Sequence, residues 1–287
     1  MKLLNKKAII SGASKGLGAA IARAYVVAGA SVVICARNNI ELLKKQAELQ
    51  TISLGSKVIA IPTDISSPEQ IDYLIRIAEK ELGGVDILVA NAAIYGPKGP
   101  LETLDWQAWS EVIDINLKGT VLQCKAVIPL FKRQKKGKII IISGGGATKP
   151  MPNFTAYAAS KAGVIRFSET LANELQKFNI DVMAISPGAL NTDFLDEVLR
   201  AGPEKVGDKF YQISLKQAKT GGSSLELAAD LSVYLASDAA DGITGKLISA
   251  VWDPWKNLHE YYPEIAMTDI YTLRRIKLEK LKIMRNI

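Results

Sequence analysis

The chain has 287 residues, of which 48% are hydrophobic, 23% charged and 7% aromatic. This composition is typical of a globular protein with a sizeable core, and it excludes disordered and collagen-like chains. No apolar run is long enough to span a membrane. The N-terminus leads straight into a predicted strand without a signal-peptide pattern, so we expect a cytoplasmic protein.

The net charge of +7 is concentrated at the C-terminus, where residues 271–287 hold six basic side chains and one acidic side chain. Such a tail is compatible with binding to nucleic acid or to an acidic membrane surface. A solvated helix face explains it equally well and is the interpretation we prefer. We therefore expect neither a nucleic-acid partner nor a membrane partner.

Cysteine and histidine are scarce, which limits the chemistry open to the chain. Cys35 and Cys124 stand far apart among apolar residues, so we expect two buried thiols and no disulfide framework. His259 is the single histidine, and we expect it to be exposed or packed in its aromatic segment, with no catalytic role. These residues predict no metal site.

Short β-branched apolar runs alternate with amphipathic stretches along the chain. The runs show little alternation, which predicts strands buried on both faces, at 7–11, 31–36, 57–62, 86–90, 138–143, 180–186 and 246–251. Helices are predicted near 16–29, 39–54, 68–83, 105–134, 155–178 and 224–236. The alternation predicts an α/β protein: a single Rossmann-type, doubly wound parallel sheet of about seven strands with helices on both faces.

The first predicted strand ends in a glycine-rich turn, and a predicted helix follows it. Glycines at such a turn let the backbone approach a pyrophosphate at the helix N-terminus, so the turn predicts a dinucleotide site. The candidate cofactor-binding residues of the turn are Gly12, Ser14, Lys15, Gly16, Leu17 and Gly18.

The end of the second predicted strand indicates which dinucleotide is bound. Ala36 and Arg37 stand where NAD-binding folds usually have Asp or Glu, and Lys15 adds a cation in the glycine turn. Two cations without a carboxylate favour a 2′-phosphate. We therefore expect NADP(H) as the cofactor in preference to NAD(H).

The chain then divides into two parts. Residues 191–223 are rich in glycine and too long for a simple connection, so we expect a lid there. We assign residues 1–253 to an NADP-binding Rossmann domain that includes this lid and the substrate site. Residues 254–287 form a C-terminal extension that carries the basic tail.

Further candidate residues follow the third and fourth predicted strands, where ligands bind in such sheets. Asp64 and Ile65 follow the third strand, and the Asp64 carboxylate is a candidate acceptor for the adenine amino group. Asn91 and Ala92 follow the fourth strand. All four are candidate cofactor-binding residues.

Tyr157 and Lys161 stand four residues apart on a predicted helix, which places both side chains on one face. An ammonium beside a phenol favours the phenolate and lowers the pKa of the tyrosine. A tyrosine in this state exchanges a proton with a substrate oxygen near neutral pH. The pair predicts a general acid–base site.

Taken together, these motifs resemble those of the short-chain dehydrogenase/reductase family over residues 5–250. Residues 91–94 are similar to the family's Asn-Asn-Ala-Gly element, with Ala92 and Ile94 as departures. The resemblance identifies Asn116 as the active-site asparagine. It also implies a loop that holds the nicotinamide carboxamide, with Pro187, Gly188, Leu190 and Thr192 as its cofactor-binding residues.

The resemblance implies hydride transfer between a nicotinamide and a carbonyl or secondary alcohol, with Tyr157 as the general acid or base. Tyr157 and Lys161 would also be cofactor-binding residues, with Lys161 holding the nicotinamide ribose and tuning Tyr157. Asn116 would support a water-linked proton relay to Lys161. The resemblance also implies a homodimer or homotetramer, built on the long helices near 105–134 and 155–178.

Two departures from the family pattern leave questions open. The family's serine stands thirteen residues before the tyrosine, where this chain has Gly144; Ser143 is the candidate for orienting the substrate carbonyl. After the last strand, Trp252, Asp253 and Trp255 either line the pocket or pack against the sheet. The segments around Gly144 and Trp252 resemble those of a subgroup of the family that is found with sugar or polysaccharide metabolism.

Three functions are compatible with the sequence. The leading one is an NADP-dependent alcohol dehydrogenase or carbonyl reductase, acting on a sugar derivative, a 3-oxoacyl thioester or another ketone. The departure at Gly144 supports a non-catalytic NADP-binding sensor on the same fold. The basic tail supports a nucleic-acid or membrane-surface binder.

Overall fold

The computed structural model describes residues 1–53 and 55–275. Within them, seven strands form one parallel sheet in the order β3-β2-β1-β4-β5-β6-β7. The strands are β1 Lys7–Ser11, β2 Ser31–Ala36, β3 Val58–Pro62, β4 Ile87–Ala90, β5 Gly137–Ile142, β6 Ile180–Ser186 and β7 Leu247–Ser249. This confirms the predicted doubly wound sheet, whose order reverses between β1 and β4.

Eleven α-helices occur in these described ranges. They are α1 Gly16–Val27, α2 Asn39–Ile52, α3 Pro68–Leu82, α4 Trp106–Ile113, α5 Gly119–Gln134, α6 Thr155–Leu175, α7 Asp193–Ala201, α8 Pro203–Val206, α9 Asp208–Thr220, α10 Leu225–Ala236 and α11 Tyr262–Ala266. Helices α1, α2 and α10 pack on one face of the sheet, and α3, α5 and α6 pack on the other. The β-branched strands are therefore buried on both faces, as their sequence predicts.

Local signals explain where several helices begin and end. The Ser67 side chain accepts a hydrogen bond from the backbone N–H of Gln70, and Pro68 occupies the first helical turn of α3. The same helix ends at Gly83, which adopts the left-handed conformation with φ 70°. The Asp105 side chain caps α4 in the same way as Ser67 caps α3.

The helix predicted over 105–134 is interrupted. A π-helical turn at Asp114–Lys118 separates α4 from α5 and buries Ile115 and Asn116. Such turns insert one extra residue into a helix and are frequent at functional sites. The hydrophobic pattern of the sequence does not register the insertion, because both flanking helices remain amphipathic.

The described part of the predicted extension packs against the sheet domain. Trp255, Leu258 and Ile265 are buried in the same core as α10. The backbone N–H of Leu247 in the edge strand β7 donates to the carbonyl oxygen of Tyr271 at 2.8 Å. The extension therefore covers this edge of the sheet, while the division of the chain at residue 253 stays a prediction.

Most of the basic tail, residues 276–287, lies outside the described residues. Of its described cations, Arg274 pairs with Glu169 of α6 and with Asp269, the latter at 2.8 Å. Among the helices of the described ranges, none has the length and apolar character required to cross a membrane.

Candidate active site

One large cavity, of about 1240 Å³, runs along the carboxyl ends of the strands. The glycine turn after β1 lines one part of it, and Tyr157 and Lys161 of α6 line another. Residues of α7 and α9 complete the wall. Parallel strands end at the same edge of a sheet, so side chains far apart in sequence meet here. Every predicted site residue except Asn116 lines this cavity.

The glycine turn is closely packed and has no room for side chains. A Cβ on Gly12, whose φ is +64°, would lie 2.8 Å from the Cα of Ala92, and a Cβ on Gly18 would lie 2.2 Å from the Gly12 carbonyl oxygen. The Asn91 amide donates to the carbonyl oxygens of Ser11 and Gly12 at 2.9 and 3.2 Å. Asn91 thus holds the turn in place at the N-terminus of α1, a kind of position at which proteins commonly bind phosphate groups.

The two predicted phosphate-binding cations have acidic neighbours. Lys15 Nζ lies 2.5 Å from Asp193 Oδ2 of α7, and this contact raises the pKa of Lys15. The acidic neighbour of Arg37 is Asp64. Burial raises the pKa of Asp64, but hydrogen bonds from Ser66 and the charge of Arg37 outweigh burial, so that the pKa is lowered overall. Asp193 was not predicted from the sequence, because only the folding of α7 brings it to the glycine turn.

Tyr157 and Lys161 are both nearly fully buried, at 5% and 4% exposure. Lys161 Nζ donates to the carbonyl oxygen of Ile142 at 2.9 Å, and burial lowers the pKa of Lys161 to about 8. Burial, and then the neighbouring Tyr95, raise the pKa of Tyr157 well above its ordinary value. The net shift of the Tyr157 pKa is therefore opposite to the expected one, since desolvation of the phenol outweighs any stabilisation of the phenolate by Lys161.

Position 144, where the family resemblance implies a serine, lies directly against the phenol. A Cβ on Gly144 would come 2.3 Å from Tyr157 Oη. Ser143 is 3% exposed, and its hydroxyl makes only a 3.5 Å contact with the carbonyl oxygen of Lys161. The phenol hydroxyl thus occupies space that a side chain at position 144 would need.

Asn116 lies in the π-helical turn and is 1% exposed. Its amide nitrogen donates to the Ile94 carbonyl oxygen at 2.9 Å and to Ser160 Oγ at 3.1 Å. Its amide oxygen accepts from the Ile94 backbone N–H at 2.8 Å. Asn116 therefore ties the segment after β4 to α6, which carries Tyr157.

Two aromatic neighbours of Tyr157 were not found from the sequence. The Tyr95 ring lies 4.5 Å from the Tyr157 ring, centroid to centroid, in an edge-on arrangement. Tyr95 also stacks on Phe194, the second residue of α7, at 4.5 Å. The position of Tyr95 after β4 was a usable signal, whereas the contact of Phe194 depends on how α7 packs.

The remaining candidates lie outside the site. Trp252, Asp253 and Trp255 do not line the cavity; Trp255 packs near Tyr234, with ring centroids 6.1 Å apart, and Trp252 is exposed. His259 is also exposed and remote from the lining. Cysteines 35 and 124 are buried as free thiols, and burial raises the pKa of each to about 12. No group of three potential metal ligands occurs in residues 1–53 and 55–275.

Comparison with known proteins identifies the family. The model for short chain dehydrogenases matches residues 6–201. The chain is 36% identical over 249 residues to 3beta-hydroxysteroid dehydrogenase 1 of Eggerthella lenta, covering 85% of this chain and 91% of that relative. It is 34% identical over 260 residues to galactitol 2-dehydrogenase of Agrobacterium fabrum, covering 89% and 99%. The chain therefore belongs to the short-chain dehydrogenase/reductase family of oxidoreductases, which act on alcohols and ketones.

A solved structure of levodione reductase has the same fold. It superimposes with a TM-score of 0.79 at 24% identity and covers 86% of this chain and 96% of its own. At this identity the likeness shows the architecture of the sheet and its helices.

Proposed function

We propose that this protein is an NADP(H)-preferring carbonyl reductase or secondary-alcohol dehydrogenase in which Tyr157 is the general acid–base. The observation that carries the proposal is the single cavity that joins the glycine turn to Tyr157 and Lys161. The turn, the N-terminus of α1 and the room along the strand ends fit a dinucleotide. When bound, a nicotinamide cofactor supplies or accepts the hydride of the reaction.

The roles of the residues follow from their chemistry. In reduction, the high pKa of Tyr157 keeps its proton on the phenol until a substrate oxygen accepts it. Lys161 would hold the cofactor ribose, and its ammonium would stabilise the phenolate that remains. Asn116 positions α6 and supports the relay that returns a proton to Lys161. Ser143 remains the candidate that orients the carbonyl, because its 3.5 Å contact with Lys161 is long enough to be given up easily.

The cofactor preference rests on Lys15 and Arg37. Both line the cavity, and the strand end before Arg37 carries Ala36 in place of a carboxylate. A guanidinium and an ammonium together suit a phosphate dianion. Parallel calorimetric titrations with NADPH and NADH test this assignment. We expect NADPH to bind more tightly by about tenfold or more, and tighter binding of NADH would overturn the preference but not the oxidoreductase class.

Gly144 beneath the phenol is the one observation that favours a second function, a non-catalytic NADP(H)-binding sensor. Turnover separates the two proposals. We expect the wild-type protein with NADPH to reduce members of a ketone panel and the Tyr157→Phe variant to lose this activity. Binding of NADPH without turnover of any ketone, thioester or sugar in the panel would favour the sensor.

We also propose that the protein is a homodimer or homotetramer. The exposed face of α4 supports an interface: Trp106 is 70% exposed and stacks on Trp109 with ring centroids 5.3 Å apart. Light scattering during size exclusion tests the proposal. A mass of two or four chains is expected, and a monomer at micromolar concentration would contradict it.

A further inference from the structure

The cavity wall around the Tyr157 hydroxyl is aromatic. Tyr95, Phe194 and Phe210 line the cavity, and the fully buried Phe154 ring packs against Tyr95 and Phe210; we call these four rings the aromatic wall. The Phe154 ring lies 5.4 Å from Tyr95 and 5.2 Å from Phe210, and the Phe194 ring lies 6.2 Å from Tyr157 and perpendicular to it. Each ring therefore touches another ring or the phenol itself.

The aromatic wall has its own small core, separate from the two cores of the sheet. Phe154, Val198 and Val206 are 0–2% exposed, and Met151 packs against them. These residues come from the segment before α6 and from the lid helices α7 and α8. The wall is therefore preformed, since its rings are held by packing and do not depend on a ligand to order them.

Lys98 packs against the Tyr95 ring of the aromatic wall and is paired with a carboxylate. Lys98 Nζ lies 5.4 Å from the Tyr95 ring centroid and donates to Glu197 Oε2 and to the Gly96 carbonyl oxygen, both at 3.0 Å. Its side chain is 10% exposed. Lys98 does not line the cavity, so its charge is not presented to a substrate beside Tyr157.

We infer that the substrate is an apolar cyclic ketone, or the matching secondary alcohol, whose ring packs against the aromatic wall. This inference rests on the proposed function, because it takes the Tyr157 hydroxyl as the polar group that meets the carbonyl. The apolar ring of the substrate would contact Phe194 and Tyr157, and its surface would thereby be removed from water. Those hydroxyls of a polyhydroxy ketone that lay against the rings would have no hydrogen-bond partners there, at a cost in affinity.

The test is a binding measurement on the full-length Tyr157→Phe variant, which keeps the ring and cannot exchange the proton. Calorimetry with and without NADPH compares decalone, a bicyclic apolar ketone, with xylulose, an open-chain polyhydroxy ketone. We expect decalone to bind about 100-fold more tightly than xylulose. Equal or tighter binding of xylulose, or no binding of decalone, would overturn the inference.

A substitution in the aromatic wall provides a second test of the inference. Phe194→Ala, made in the same background, is expected to weaken decalone binding by about tenfold and to leave NADPH binding unchanged. Trp252→Ala is the matched control, because this exposed ring lies outside the cavity. A Phe194→Ala variant that binds decalone as tightly as its parent would contradict the role of the wall.

Different results would contradict the proposed oxidoreductase function and the assignment of an apolar cyclic substrate. Binding of decalone in this series, with no turnover of decalone by the wild-type protein, would contradict the proposed function and leave the ligand assignment standing. Turnover of xylulose but not of decalone would support an oxidoreductase and contradict the cyclic apolar substrate.

Discussion

Tyr157 Oη lies against the backbone of Gly144, so closely that a Cβ at that position would come within 2.3 Å of it. At the neighbouring Gly145, the nearest atom to an added Cβ is Met151 Sδ at 3.6 Å, an ordinary contact. Neither glycine has a positive φ, so alanine fits both backbones. The two positions therefore form a matched pair for testing how precisely the phenol must be placed.

Gly144→Ala is expected to lower kcat/KM for ketone reduction by about 100-fold, because a displacement of about 1 Å at a reacting group costs that much. Steady-state kinetics of Gly144→Ala and Gly145→Ala measure the effect side by side. The kcat/KM of the control, Gly145→Ala, should stay within about threefold of the wild-type value. Equal activities of the two variants would show that the present position of the phenol is not the reactive one.

The ion pair between Lys15 and Asp193 competes with a cofactor phosphate for the same ammonium. Asp193→Asn removes the competitor and is expected to tighten NADPH binding by about two- to fivefold, the size of an exposed ion pair. The affinity for NADH, which lacks the 2′-phosphate, should not change. Calorimetry measures both affinities, with Asp196→Asn on the same helix as the control. An equal gain in affinity for both cofactors would show that Lys15 does not recognise the 2′-phosphate.

The pKa of Lys161 sets an expected pH dependence. Burial lowers this pKa to about 8, so the ammonium form is lost as the pH rises through that value. The phenol of Tyr157, whose pKa is raised, keeps its proton over the same interval. We expect kcat/KM for reduction to be constant below pH 8 and to fall above it. A profile that stays flat to pH 10 would show that the charge of Lys161 is not needed.

Asn116 is expected to matter for stability as well as for the relay. Asn116→Ala leaves the backbone groups of Ile94 without their partners, which should lower the free energy of unfolding by about 2–3 kcal/mol. Urea denaturation measures the loss, and Asn116→Asp should lose at least as much, because it places a buried carboxylate oxygen against the Ile94 carbonyl oxygen. A loss of less than about 0.5 kcal/mol in Asn116→Ala would argue against this account of the contacts.

The sheet, the glycine turn and the candidate residues at the strand ends could be predicted from the sequence. Unbroken β-branched runs place the strands to within one or two residues, and the glycine turn and Tyr157–Lys161 spacing follow from local chain geometry. Because the strands are parallel, these local signals are enough to bring their ends to one cavity.

The features that could not be predicted all depend on contacts between distant segments. The approach of Asp193 to Lys15 and of Phe194 to Tyr95 depends on how α7 packs beside the cavity. Likewise, the raised pKa of Tyr157 follows from its burial, which spacing along a helix does not reveal. Charge pairing and desolvation are properties of the packed chain.

The central claim is that Tyr157 exchanges the proton of the reaction within an intact cofactor site. The most direct test measures kcat for ketone reduction and the Kd for NADPH in wild type and in Tyr157→Phe. The account predicts a loss in kcat of about 1000-fold, with a Kd that stays within about twofold of wild type because the ring remains in its aromatic surroundings. A Tyr157→Phe variant with turnover within about tenfold of wild type would contradict the claim.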